Sequence, residues 1–203
     1  MKTLTLVAGI ALAATLAGSA FAAEADPAAV QMANDVCSKC HGQGGASQSA
    51  LFPRLAGQQS AYIDQELKLF RSRGRADPHA RAYMWGIAGP LSDDQIKGLA
   101  DYFAMQPPVK GEPAGDPALA DQGKQIFTKG VPAHNVPVCA ACHGKNAEGN
   151  DTIPRLAGQH RDYLVTELQD FRNQLRANET MHDNTKNMTD DEIRAVAEYL
   201  SSL

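Results

Sequence analysis

Two runs of five residues carry the chemistry legible in this chain: Cys37-Ser38-Lys39-Cys40-His41 and Cys139-Ala140-Ala141-Cys142-His143. Two thiols three positions apart on a tight turn can each form a thioether to one vinyl group of a haem. The histidine that follows then sits under the iron and supplies the proximal ligand. This CxxCH spacing is the attachment signature of a c-type haem, so two runs imply two covalently bound haem c groups and point to electron transfer. Cys37, Cys40, Cys139 and Cys142 are the only cysteines. With the haems attached, no thiol is left for a disulfide, an axial ligand or a nucleophile. A four-cysteine zinc site would use similar pairs. Here the pairs are about 100 residues apart and each is followed directly by histidine. A thioredoxin-like CxxC would lie beside a βαβ pattern, and none is visible.

The elements that position these runs come as a duplication. Pro53-Arg54-Leu55-Ala56-Gly57-Gln58 recurs as Pro154-Arg155-Leu156-Ala157-Gly158-Gln159. Tyr62, Glu66-Leu67 and Phe70-Arg71 recur as Tyr163, Glu167-Leu168 and Phe171-Arg172. Leu91-Ser92-Asp93-Asp94-Gln95-Ile96 matches Met188-Thr189-Asp190-Asp191-Glu192-Ile193. The offset is 102 at the pentads, 101 through the middle and 97 at the end, so two loops differ in length. Between the copies, residues 107–117 hold four prolines and two glycines. Such a run cannot continue a helix and reads as an extended, semi-stiff linker.

The fold class is all-α. The pattern predicts helices over 27–36 and 117–129 before the pentads, and over 60–72 and 161–175 after the PRLAGQ blocks. Tyr62, Ile63, Leu67 and Phe70, like Tyr163, Leu164, Leu168 and Phe171, have helical spacing. Ser92 with Gln95, and Thr189 with Glu192, are capping boxes that open the last helix of each copy. Domains of about 80 residues sit near the lower limit for a self-sufficient core, so each haem forms a large part of its domain's interior.

A haem with one histidine has a second axial position. Met84 lies seven residues before Leu91, and Leu91 aligns with Met188. Counting back seven from Met188 reaches Met181. The repeat therefore selects Met84 and Met181 as equivalent, and makes Met188 the counterpart of a core leucine. The metal set is then His41, Met84, His143 and Met181. His79 and His182 are the runners-up, and His79, His134, His160 and His182 otherwise read as exposed loop residues. The carbonyls of Pro53 and Pro154 are candidate acceptors for the second ring nitrogen of the proximal histidines. Arg54 and Arg155 are candidates to pair with haem propionates.

The N-terminus reads as a secretory signal: Lys2, an apolar run from Leu4 to Ala17, and Ala20-Phe21-Ala22 as cleavage site, with the cut after Ala22. An uncleaved anchor is the alternative, but about 14 apolar residues fall short of the roughly 20 needed to span. Removing residues 1–22 takes away Lys2 alone and leaves 18 basic and 23 acidic residues, a formal charge of −5. That balance argues against nucleic acid as partner. It suits a redox partner that presents lysine and arginine, without locating the docking patch.

These residues together resemble the di-haem cytochromes of the cytochrome c4 family. The matching features are the two CxxCHG runs, the two PRLAGQ blocks with their Tyr…Phe-Arg helices, and the two segments with methionine seven residues before a Leu/Met-Ser/Thr-Asp-Asp start. The resemblance covers essentially the whole mature chain. It implies a tandem repeat of two class I cytochrome c domains, residues 23–106 and 118–203, packed face to face with His/Met ligation at both irons. It implies a monomeric periplasmic electron carrier, often from a cytochrome bc1 complex towards a terminal oxidase such as the cbb3 type, with possible association with the inner membrane surface. With both irons saturated by protein ligands and no nucleophile–base arrangement beside the haems, an electron carrier is expected and not an enzyme; a di-haem enzyme such as a peroxidase would need an iron that can open. The alternative is the cytochrome subunit of a periplasmic dehydrogenase, such as a flavocytochrome c sulfide dehydrogenase. One departure stands out. The segment from Met181 to Met188 is polar where that from Met84 to Leu91 is mostly apolar, so the two haems are expected to differ in potential.

Overall fold

The computed structural model describes residues 25–203, so the expected signal segment lies outside the described residues. The described residues form helices and two isolated β-bridges, Val131 with Val136 and Asn150 with Ile153, and contain no strand. None of these helices is long and apolar enough to cross a membrane.

α1 (Pro27–Met32) starts on Asp26, whose carboxylate accepts from the Ala28 N–H, with proline at the first helical position. The spacing predicts one helix over 27–36. Instead α1 gives way to a π-helical turn, Ala33–Cys37, that runs straight into α2 (Ser38–His41). The wide turn inserts one extra residue just before the first thiol, a device common at functional sites. In the second copy α6 (Pro117–Lys129) ends at Gly130, and a loop precedes α7 (Ala140–His143). Backbone bonds between Val131 and Val136, at 2.9 and 3.1 Å, tie that loop. Both pentads are followed by a glycine at positive φ, Gly42 at 75° and Gly144 at 85°. A Cβ on Gly42 would lie 2.7 Å from the Ala46 carbonyl oxygen, so the turn requires glycine.

The remaining helices are α3 (Ser60–Arg71), α4 (Trp85–Ala88), α5 (Asp93–Ala104), α8 (Arg161–Arg172), α9 (Glu179–Thr185) and α10 (Asp190–Ser201). α8 stops short of the expected 175, because Gln174 turns to φ 57°. Both capping boxes form. Ser92 Oγ accepts from Gln95 N–H at 3.2 Å and Gln95 Oε1 from Ser92 N–H at 2.9 Å. Thr189 and Glu192 repeat this at 3.2 and 2.8 Å.

Two apolar cores result. α1 and α3 pack on α5 in the first, and α6 and α8 pack on α10 in the second. The crossing of first and last helices is close in both. A Cβ on Gly98 would lie 2.9 Å from that of Ala29. In the second copy the glycine has changed sides: Gly123 sits on α6, and a Cβ there would lie 1.9 Å from the Ala195 carbonyl oxygen. Ala195 is the repeat counterpart of Gly98. The linker is extended but fastened. Gly111 N–H donates to the Leu203 carbonyl at 2.7 Å, Asp116 N–H donates to Glu198 at 3.1 Å, and Pro108 packs against Gly57.

Candidate functional site

α2 and α7 each deliver a histidine as their last residue. His41 Nδ1 lies 2.9 Å from the Pro53 carbonyl and His143 Nδ1 3.2 Å from that of Pro154. A carbonyl only accepts, so Nδ1 carries the proton and Nε2 keeps its lone pair for a metal. Both rings are buried, and burial pushes both imidazoles below their ordinary value, which favours the neutral, ligating form. Burial pushes the Cys139 thiol up to about 11, so it is no activated nucleophile.

All four cysteines, both histidines, Met84 and Met181 line one cavity of about 710 Å³ that reaches from one half of the chain to the other. Leu67, Phe70, Leu168 and Phe171 supply apolar wall. An apolar cleft holding a thiol pair, a neutral imidazole and a thioether in each half is the donor set of a covalently attached haem with histidine and methionine axial ligands. Met84 ends a π-helical turn, Ala80–Met84, and Met181 lies on the first turn of α9; both are half-buried. Met188 also reaches the cavity, but it is buried at 4% in the second core beside Ile193, and its counterpart Leu91 is buried in the first.

The halves meet across a pseudo-twofold interface. The Gln58 amide accepts from Arg155 N–H at 2.7 Å and donates to the Arg155 carbonyl at 2.9 Å. Gln159 does the same with Arg54 at 2.9 and 3.0 Å. Gln59 donates to the Glu148 carbonyl at 2.9 Å, and its counterpart His160 donates to the Ser47 carbonyl at 3.0 Å. Beside these lies a buried ion cluster. Arg75 bridges Glu66 at 2.5 Å and Glu167 at 2.7 Å, and also holds Asp77 at 2.8 Å. Arg176 bridges Glu66 at 2.8 Å and Glu167, and donates to Tyr62 at 2.9 Å. Each arginine stands over its own copy's phenylalanine, Arg75 over Phe70 and Arg176 over Phe171. Burial pushes Glu66 up, but the guanidiniums of Arg176 and Arg75 outweigh it and hold the carboxyl below its usual range.

The cytochrome c family model matches residues 27–105 and again 120–203. The chain is 39% identical over 177 residues to a cytochrome c4 of Thiocapsa roseopersicina, covering 84% of this chain and 88% of that one. The solved cytochrome c4 of Acidithiobacillus ferrooxidans superimposes with a TM-score of 0.79 at 40% identity, covering 82% of this chain and 98% of that one. The chain belongs to the cytochrome c4 family. It is an all-α, di-haem c-type cytochrome of two cytochrome c domains. A further relative, 34% identical over 196 residues and covering 93% of this chain and 88% of that one, is named thiosulfate dehydrogenase electron acceptor, from Thiomonas intermedia.

Within this cytochrome c4 fold the two candidate propionate arginines differ. Both line the cavity. The Arg54 guanidinium is buried and donates to the Gly158 carbonyl at 2.6 Å and the Ser47 carbonyl at 3.3 Å, with Glu112 at 3.6 Å. Arg155 is half-buried and meets the first domain through its backbone. The reading of four histidines as exposed loop residues holds for His134 and needs correction at the other three: His79 is half-buried and lines the cavity, and His182 is half-buried on α9 with Nδ1 3.0 Å from the Phe171 carbonyl. His160 is not an exposed loop residue but a half-buried interface donor, because the repeat places it where Gln59 crosses to the other copy. The expectation from sequence also missed Arg75 and Arg176. Their signal was present: each follows a repeated glutamate, Glu66 and Glu167, by nine residues at the same 101-residue offset. Asp170 was missed too. It has no acidic counterpart, since Leu69 occupies the matching place, and its Oδ2 is buried without a hydrogen-bond partner among the described residues.

Proposed function

We propose that this protein carries electrons in the periplasm between respiratory complexes, from a bc1-type donor towards a terminal oxidase such as the cbb3 type. The observation that carries the reading is the single cavity shared by both CxxCH runs, which sets two redox groups on either side of one tightly bonded interface. In this reading Cys37 and Cys40 hold the first haem between His41 and Met84. Cys139 and Cys142 hold the second between His143 and Met181. Residues 23–106 and 118–203 are the two domains and 107–117 the strap between them, with residues 1–22 removed on export. Iron with two protein ligands leaves no position for a substrate, so the chain relays electrons without being an enzyme. It works as a monomer, with or without contact to the inner membrane surface.

An optical redox titration of the haem-loaded protein tests this. Two high midpoints are expected. One very low midpoint, or carbon monoxide binding to the reduced protein at neutral pH, would overturn it. A second reading, the cytochrome partner of a periplasmic dehydrogenase such as a flavocytochrome, is favoured by the likeness to a thiosulfate dehydrogenase electron acceptor. Stable co-purification with a dehydrogenase subunit would support that reading over the free carrier.

A further inference from the structure

The two domains hold the same cofactor in the same fold, so any residue class that haem binding alone demands should appear in both copies. At the cavity mouths it does not. In the first domain Leu51, Tyr83 and Ile87 line the cavity, and the neighbouring Ala50, Arg81 and Ala82, which do not line it, are exposed, so this stretch of the wall lies at the rim. Their repeat counterparts in the second domain are Thr152, Thr180 and Asn184, which line the same cavity. Phe52 and Ile153, and Val36 and Val138, are apolar in both copies and are the haem-packing baseline. Leu51 follows the loop on the His41 side and Tyr83 precedes Met84. The Phe52 and Tyr83 rings, 5.3 Å apart, join those two walls, and Phe52 in turn lies 6.1 Å from the His41 ring.

Charge follows the same split. Arg73 and Arg81 both stand over the Trp85 ring, at 5.3 and 5.9 Å, next to Gly86 and Ile87. Lys39 is exposed within the first pentad. Among the described residues none of the three has a carboxylate partner within 4 Å. Their counterparts are Gln174, Asn178 and Ala141. The second mouth instead gains Asp151, Glu179 and Asp183 where the first has Ala50, Ala82 and Gly86. One acid, Asp35, sits beside Val36 on the first rim. An apolar centre edged by unpaired cations is the composition of a transient redox interface for an acidic partner.

We propose that the mouth of the first domain, Leu51, Tyr83 and Ile87 with Arg73, Arg81 and Lys39 around them, is the docking face for an acidic redox protein with an apolar centre. This rests on the carrier reading and adds to it which domain one partner meets and that partner's surface chemistry. Formal charge hid this: of the net −5 of the mature chain, three units lie in the second domain, one in the linker and one at Glu24. The first domain, from residue 25 to residue 106, carries eight basic and eight acidic side chains.

The test uses the reduced, isotopically labelled holoprotein, with a zinc-substituted acidic blue copper protein as probe and a basic single-haem cytochrome c as comparison. The acidic probe should shift the amide resonances of Leu51, Arg81, Tyr83 and Ile87 and leave those of Thr152, Thr180 and Asn184 in place. R73E/R81E should weaken binding about tenfold at low ionic strength, with the difference vanishing in high salt. Y83T/I87N, which installs the second domain's residues, should weaken it at every ionic strength. Each variant's haem spectrum verifies folding. Equal or stronger shifts in the second domain, or unchanged affinity in both variants, would overturn the proposal. Two high midpoints with docking elsewhere sink the docking face alone. A very low midpoint with docking at the first domain sinks the carrier reading alone.

Discussion

Asp170 offers the sharpest test of the buried interface. Burial first, then the nearby carboxylates of Glu167 and Asp77, push its carboxyl up from 3.8 to about 6, against a smaller pull from His79 and Arg75. Its Oδ2 has no hydrogen-bond partner among the described residues. The folded state therefore resists ionising a group that the unfolded chain ionises near 3.8. Below about pH 3 both states are protonated and Asp170 costs nothing. As pH rises through 4 to 6 the unfolded state loses its proton first, and stability falls. Above about 6 the cost is complete. With these two values the cost is about 1 kcal/mol at pH 4.5 and about 3 kcal/mol at pH 7.5. Water at the cavity edge screens part of this, so about half is expected. Asp170→Asn should then gain about 1 kcal/mol more stability at pH 7.5 than at pH 4.5. Guanidinium unfolding of the holoprotein at both pH values, compared with the parent, measures it. Comparing the two pH values removes any packing effect that the amide brings at both. An equal change at both values, or a larger gain at pH 4.5, would refute the argument that a repelled, unpartnered carboxylate sits there.

The remaining predictions concern ligation, helix crossing and the ion cluster. Met181→Ala should abolish the methionine-to-iron absorption band of the second haem, whereas Met188→Ala should keep the band and cost about 2–4 kcal/mol in unfolding, as for a buried core side chain. Loss of the band in Met188→Ala alone would mean that the repeat register is wrong. Gly123→Ala should destabilise far more than Gly98→Ala in thermal melts, because its methyl meets backbone at 1.9 Å and that of Gly98 meets another methyl at 2.9 Å. Arg176→Met leaves Glu66, Glu167 and Asp77 facing Arg75 alone and should cost about 3–5 kcal/mol by denaturant unfolding. A cost below 1 kcal/mol there would show that water already compensates the cluster.

The sequence by itself determined the cofactor class, the number of haems, the duplication and the helix order. Those depend on residues close along the chain: a thiol pair with its histidine, a capping serine three places before a glutamine, an apolar stripe of helical period. It also favours Met181 over Met188 as the axial ligand, because a repeat is a ruler and Met188 falls where the first copy has Leu91; the Met181→Ala and Met188→Ala pair tests that choice. Local pattern failed where the backbone departs from a regular turn, as in the π-helical run Ala33–Cys37 that carries α1 on into the pentad. Only the tertiary structure decided what the duplication does at its own interface. Gln58 reaching Arg155, Arg75 reaching Glu167 and His160 reaching Ser47 are contacts between residues about 90 to 115 positions apart. Polar side chains carry no periodic signature of burial, so the repeat makes Arg75 and Arg176 equivalent without showing that packing closes over them. The same holds for Leu51, Tyr83 and Ile87. In a linear reading they are scattered apolar residues, and only the fold gathers them around one cavity mouth.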